Sequence, residues 1–269
     1  MTILRLEGIR KVVPLPDAEP LTILDGVDLE VGEGDHVSVV GRSGSGKSTL
    51  LNILGLIDEP TDGRMLLEGV PTETLSARAR ARIRGGSIGF IFQQFNLLDG
   101  RTARENVMTP LLYATGREFW RRRDLAAEML ERVGLGHRVD SMPGRMSGGE
   151  QQRIAIARAL VRRPRLILAD EPTGALDTDT GETVMSLLDE IARESGSALV
   201  TITHDPAIAA RAERHYRLDH GRLGTASSAG TLHERVPAHA AAVAPAVAVA
   251  PTGAVDPAVA PAAGPEGVL

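Results

Sequence analysis

The sequence predicts an α/β fold with a mainly parallel core sheet, an N-terminal antiparallel β-subdomain and an inserted α-helical subdomain. Three observations predict it. A short β-branched segment at 36–41, "HVSVVG", runs straight into a glycine-rich loop and then an apolar helical stretch. Two apolar strands, "RLILAD" and "SALVTITH", flank a helical pattern at 178–194. Strand, helix and strand at that spacing form the βαβ unit of a parallel sheet. From about residue 95 to 146 the pattern turns polar and helical, as an insertion would.

The elements follow in order. Segments 3–13 and 21–31 alternate or run apolar and predict two strands joined by a Pro-rich loop. After the strand at 36–41, "STLLNILGLI" predicts a helix, and "GRMLLEG" and "SIGFIF" predict further strands. Candidate helices lie at 103–113 and 117–133, and a helix opens at "MSGGEQQRIAIAR" and runs to about 162, so the helical subdomain spans about 95–162. The main domain covers 2–224, and an Ala/Pro-rich tail at 225–269 has the composition of a disordered segment.

Composition narrows the function classes. With 35 acidic and 30 basic residues the net charge is −5, which argues against a chain built to grip nucleic acid. The 269 residues include no cysteine, so disulfides and thiolate metal sites are excluded. The N-terminus lacks the apolar core of a signal peptide, and no run reaches the roughly 20 apolar residues of a spanning helix. A soluble protein is expected.

"GRSGSGKS", from Gly41 to Ser48, fits G-x-x-x-x-G-K-[ST] with a strand before it and a helix after it. Glycines let backbone N–H groups curl round a phosphate, and the helix N-terminus adds a favourable dipole. Lys47 is expected to reach the β- and γ-phosphates, and the Ser48 hydroxyl to ligate Mg²⁺. Lysine is rare in this chain, occurring only at Lys11 and Lys47, which sharpens the assignment. "RLILADEP" delivers Asp170 to the carboxyl edge of the sheet, where open α/β sheets bind ligands. Asp170 is expected to hold Mg²⁺ through water, and Glu171 to polarise the attacking water as general base. An acidic pair after a strand also occurs as a helix N-cap; the phosphate loop upstream favours the catalytic reading.

These residues, with Gln93, "MSGGEQQR", "GALD" and His204, resemble the ATP-binding-cassette ATPases over about residues 2–224. "FQQFNLL", "EQQRIAIARAL" and "ADEPTGALD" are most similar to the ATPases of lipoprotein-release, macrolide-export and antimicrobial-peptide-resistance transporters and to the cell-division cassette. The resemblance implies a P-loop NTPase cassette that binds ATP and Mg²⁺. It implies a phosphate loop made of Gly41, Arg42, Ser43, Gly44, Ser45, Gly46, Lys47, Ser48 and Thr49. Ser147, Gly148 and Gly149 would complete the site of a second copy, arranged head to tail, with Asp177 reaching across the dimer. Gln93 would join Mg²⁺ and the attacking water to the helical subdomain, and His204 would contact the γ-phosphate.

The family usually stacks adenine on an aromatic residue near the position of Val13, yet no aromatic residue precedes Phe90. Adenine is expected on Val13 or an aliphatic neighbour, with weaker discrimination of ATP from GTP. Without a spanning segment of its own, the chain implies an integral membrane permease as partner, at the cytoplasmic face of the cell membrane. The alternative is a non-transporting cassette that works a transmembrane partner to regulate cell-wall or division machinery. The arginine clusters "RARARIR" and "REFWRRR" read as solvated helix faces, and the second, holding Phe119 and Trp120, also suits a partner interface.

Overall fold

A computed structural model of the protein describes residues 1–16 and 18–225, so the predicted tail, beyond Thr225, lies outside the described residues. Strands β1 (Thr2–Leu15) and β2 (Ala18–Gly32) form an antiparallel hairpin, longer than the sequence pattern suggested. Pairing within the hairpin continues to Leu15 and Ala18, into the expected Pro-rich loop, because Pro14 falls where β1 has no neighbour on its other edge; pairing with the later strand stops at Arg10. Next come β3 (His36–Val40) and α1 (Lys47–Leu54). The helix stops earlier than expected, at Gly55, whose missing side chain makes room for the Phe90 ring.

Strands β4 (Asp62–Leu67) and β5 (Val70–Pro71) complete a four-stranded antiparallel sheet in the order β2-β1-β4-β5. The arginine-rich α2 (Ala77–Ser87) has no buried residue, as its sequence implied, and leads into β6 (Ile88–Ile91).

The inserted helical segment follows. Of the helix expected at 103–113, α3 (Ala103–Met108) is α-helical and Thr109–Tyr113 tightens to a 3₁₀ turn, where Pro110 withholds a donor. The one expected at 117–133 divides at Arg121 into α4 (Gly116–Trp120) and α5 (Arg122–Arg132). Helix α6 (Gly148–Leu160) opens on a capping box: Ser147 Oγ accepts from the Glu150 N–H, and the Glu150 carboxylate accepts from the Ser147 N–H.

Strand β7 (Leu166–Asp170), α7 (Thr178–Ser195) and β8 (Ala198–Thr203) form the expected βαβ unit. The short α8 (Pro206–Ala209) and strands β9 (Arg214–Asp219) and β10 (Arg222–Thr225) were not legible in the pattern, since "RHYRLD" has little apolar alternation. The core sheet runs β10-β9-β3-β8-β7-β6, parallel throughout except for β10. Apolar residues cover both its faces. Val200 and Ile202 join the cluster containing α1 and the β-subdomain, while Leu199, Ile167 and Ala169 join the one containing the helical segment. Such two-sided burial is what parallel strands require. Among the described residues no helix is long and apolar enough to cross a membrane.

This strand order matters for the site. The loops after β3, β8, β7 and β6 leave the same edge of the sheet side by side, and they carry Lys47, His204, Glu171 and Gln93 respectively.

Candidate active site

Between β3 and α1 the chain wraps into a loop that only glycine accommodates at two points, Gly44 (φ 77°) and Gly46 (φ 102°). The Lys47 ammonium lies across this loop and donates to the Gly41 and Arg42 carbonyls, both at 2.8 Å. The first-turn N–H groups of α1 have no partner within the helix, so the loop presents donors and a cation together. Behind it, Ser45 Oγ is buried and makes no hydrogen bond.

Opposite stands the acidic pair. Asp170 ends β7 half-buried, and burial, followed by the neighbouring Glu171 charge, pushes its pKa up, while Lys47 pulls it down. Neither acid caps α7, whose N-cap is Asp177, with the Asp177 side chain accepting from the Thr180 N–H at 3.0 Å. Glu171 occupies the left-handed region at φ 45°, a costly conformation for a residue with a side chain. Its own N–H donates to the Ile202 carbonyl at 2.8 Å. Its carboxylate accepts from Thr203 Oγ1 at 2.9 Å and from the His204 N–H at 3.0 Å, and its Oε1 lies 2.7 Å from His204 Nδ1.

These groups frame one cleft of about 750 Å³. Gly41, Arg42, Ser43, Gly44, Gly46, Lys47, Ser48 and Thr49 line it, together with Gln93, Asp170, Glu171 and His204. Ser45 does not line it. Val13, one of the two expected options, does not either; the aliphatic wall is formed by its neighbours Leu21 and Ile23. Val13 pairs with Leu21 across the hairpin, and irregularities in the β1–β2 ladder put this register beyond reading from sequence. Leu21 and Ile23 are cleft residues that the motifs did not reveal, and Thr203, buried behind Glu171, is a further partner they did not show.

Ser147, Gly148, Gly149 and Asp177 stand apart from the cleft. They cluster with one another instead: a Cβ on Gly149 would lie 2.5 Å from Thr180 Cγ2, and one on Gly148 would lie 3.2 Å from Leu176 Cδ2. Helix α6 nevertheless reaches the cleft loops from beneath. The fully buried Gln152 donates from Nε2 to the Pro172 carbonyl, and Arg158 donates to the Phe95 and Asn96 carbonyls beyond Gln93.

A phosphate-binding loop, an acidic pair at the end of β7 and a glycine-opened helix standing apart define a nucleotide-binding cassette of the P-loop class. Comparison with known proteins narrows this. The ABC transporter family profile matches residues 24–174. The chain is 47% identical over 219 residues to the macrolide export ATP-binding/permease protein MacB of Rhodopirellula baltica, covering 81% of this chain but only 32% of that protein. It is 45% identical over 221 residues to the lipoprotein-releasing system ATP-binding protein LolD 1 of Rhodopseudomonas palustris, covering 82% of this chain and 98% of that one. Among solved structures it is similar to the dimeric ATP-binding cassette MJ0796 in a post-hydrolysis state bound to ADP and Pi. That match has a TM-score of 0.75 at 40% identity and covers 82% and 98% of the two chains. The chain belongs to the ABC transporter family and is an ATP-binding cassette ATPase.

Proposed function

We propose that this chain is the ATP-hydrolysing subunit of an ABC transporter that closes head to tail with a second copy around two ATP molecules. In this reading it drives a separate integral membrane permease from the cytoplasmic face of the cell membrane, in export or in lipid, lipoprotein or peptide handling. The observation that carries the dimer is the position of the α6 N-terminus. Gly148 and Gly149 open the helix with first-turn N–H groups suited to an anion, beside Ser147, whose own N–H is held by Glu150; none of the three lines the cleft of its own chain. A second protomer supplies the phosphate such donors fit. The solved dimers of a similar cassette and the transport names of the relatives support this reading.

The donor set fits Mg²⁺. Ser48, Gln93 and Asp170 all line one cleft and between them offer a hydroxyl, an amide oxygen and a carboxylate, and Mg²⁺ takes oxygen ligands while keeping several waters. Burial first, and then the Glu171 charge, raises the Asp170 pKa, and a cation bound beside it would oppose both. Held by Ser48, Gln93 and Asp170, the ion would supply charge neutralisation to the phosphate groups. The chain's own residues do the rest. Lys47 exchanges its two carbonyl partners for phosphate oxygens. Glu171 takes a proton from the attacking water as the water oxygen bonds to the γ-phosphorus, and the bond to the β–γ bridging oxygen breaks to release ADP. His204 contacts the γ-phosphate.

The test is Glu171→Gln with ATP, followed by molar mass in solution. An ATP-dependent dimer that persists is expected; a monomer at saturating ATP would overturn the arrangement. Lys47→Ala is expected to lose nucleotide binding.

A further inference from the structure

We propose that Thr203 is a positioning residue for Glu171, acting through its hydroxyl. This rests on Glu171 being the general base.

Thr203 closes β8 and is 1% exposed, so its hydroxyl sits in an interior that favours valine, a side chain of the same shape. A buried hydroxyl is tolerated only when its hydrogen bonds are made. Here both are. The Asp205 N–H lies 3.0 Å from Thr203 Oγ1, and Glu171 Oε2 lies 2.9 Å from it. An amide N–H can only donate, so the hydroxyl accepts there, and its single proton is left for Glu171. The hydroxyl therefore has one orientation, set by the backbone of the loop that carries His204.

Glu171 needs such a constraint. Its backbone is in the left-handed region, and that conformation persists only when the surroundings over-determine it. The His204 N–H and ring nitrogen meet Oε1, whereas among the described residues Thr203 is the hydrogen-bond partner of Oε2. Without that bond the carboxylate can rotate about its last torsion, a soft one in glutamate. Oε1 would stay near His204 while the carboxylate plane turned away from the direction of the incoming water.

The experiment compares Thr203→Val and Thr203→Ser in the full chain. Valine keeps the shape and removes the hydroxyl; serine restores it. Thr203→Val is expected to lower kcat about tenfold with KM for ATP unchanged, in the range seen when an acid–base group is imperfectly placed. It is also expected to bind ATP with unchanged Kd and to lengthen the life of the ATP-dependent dimer, because hydrolysis ends that state. Thr203→Ser is expected to recover most of kcat. In a Glu171→Gln background the valine change is expected to have no further effect on turnover. Wild-type kcat in Thr203→Val, or equal losses in valine and serine, would overturn the role of the hydroxyl while leaving the base assignment intact. Undiminished turnover in Glu171→Gln alone would instead remove the base assignment.

Discussion

Gly174 and Gln93 approach each other so closely that a β-carbon on residue 174 would lie 2.8 Å from Gln93 Nε2. Gly174 is in turn tied to the acidic pair, its N–H donating to the Glu171 carbonyl at 3.0 Å. A side chain at residue 174 therefore requires the Gln93 side chain to shift from its place beside the turn after Glu171. Gly174→Ala is expected to push the Gln93 amide out of place and to lower turnover by about ten- to a hundredfold, the cost of a misplacement near 1 Å. Equilibrium ATP binding measured alongside is expected to change little. A variant with full turnover would show that Gln93 has room to move at no loss.

Leu21 and Ile23 form the aliphatic side of the cleft, and Leu21 is 52% exposed. Leu21→Tyr is expected to add stacking worth about 1 kcal/mol, or roughly a fivefold lower Kd for ATP. The native chain is expected to discriminate only weakly between ATP and GTP in a direct competition. Calorimetric titration of both nucleotides against both proteins checks this, and an unchanged Kd in Leu21→Tyr would remove Leu21 from the base-binding wall.

The capping box of α6 gives a pH signature. The Ser147 N–H, and after it the Arg138 charge, hold the Glu150 carboxyl below its usual pKa. A carboxyl depressed in the folded state adds stability above its unfolded pKa and loses it as pH falls through the folded value. Glu150→Gln keeps the box but cannot titrate. Its melting temperature is expected to fall less steeply than wild type below about pH 4. Parallel acid limbs for the two proteins would contradict this.

Trp120 and Tyr113 in the helical segment are each 79% exposed, with Trp120 set edge-on to Phe119 (centroids 5.5 Å apart, planes at 78°) and the Arg122 guanidinium 4.3 Å from the Phe119 centroid. Aromatic and arginine side chains in one patch are the composition of an interface core. Trp120→Ala is expected to alter stability by less than about 0.5 kcal/mol, as an exposed substitution does. It is expected to lose co-purification with the proposed permease, and undiminished recovery would rule this patch out as the docking surface.

Most of the cleft was legible because its residues follow apolar strands. Lys47, Asp170, Gln93 and His204 each sit just past a short buried run, and parallel pairing sends all those ends to one edge. What stayed hidden depended on distance along the chain. The Val13–Leu21 register emerges only after the hairpin's irregularities are resolved, so the sequence offered Val13 or an aliphatic neighbour without showing that Leu21 is the neighbour lining the cleft. Thr203 looked like one more β-branched strand residue, since its hydroxyl gains meaning only from Glu171, 32 positions away. Strands β9 and β10 carry too many charges for an apolar pattern to betray them; of β9 only Leu218 is buried.

The ties of α6 have a mechanical consequence. Its 13 residues make a rod about 20 Å long, free of proline and gripped along its length by Gln152 on the Pro172 carbonyl and Arg158 on the Phe95 and Asn96 carbonyls. A tilt of about ten degrees about one end moves the other by about 3 Å, more than a hydrogen bond can stretch. A load applied at Ser147 is thus expected to be felt at the segments bearing Glu171 and Gln93, to which the same rod is tied.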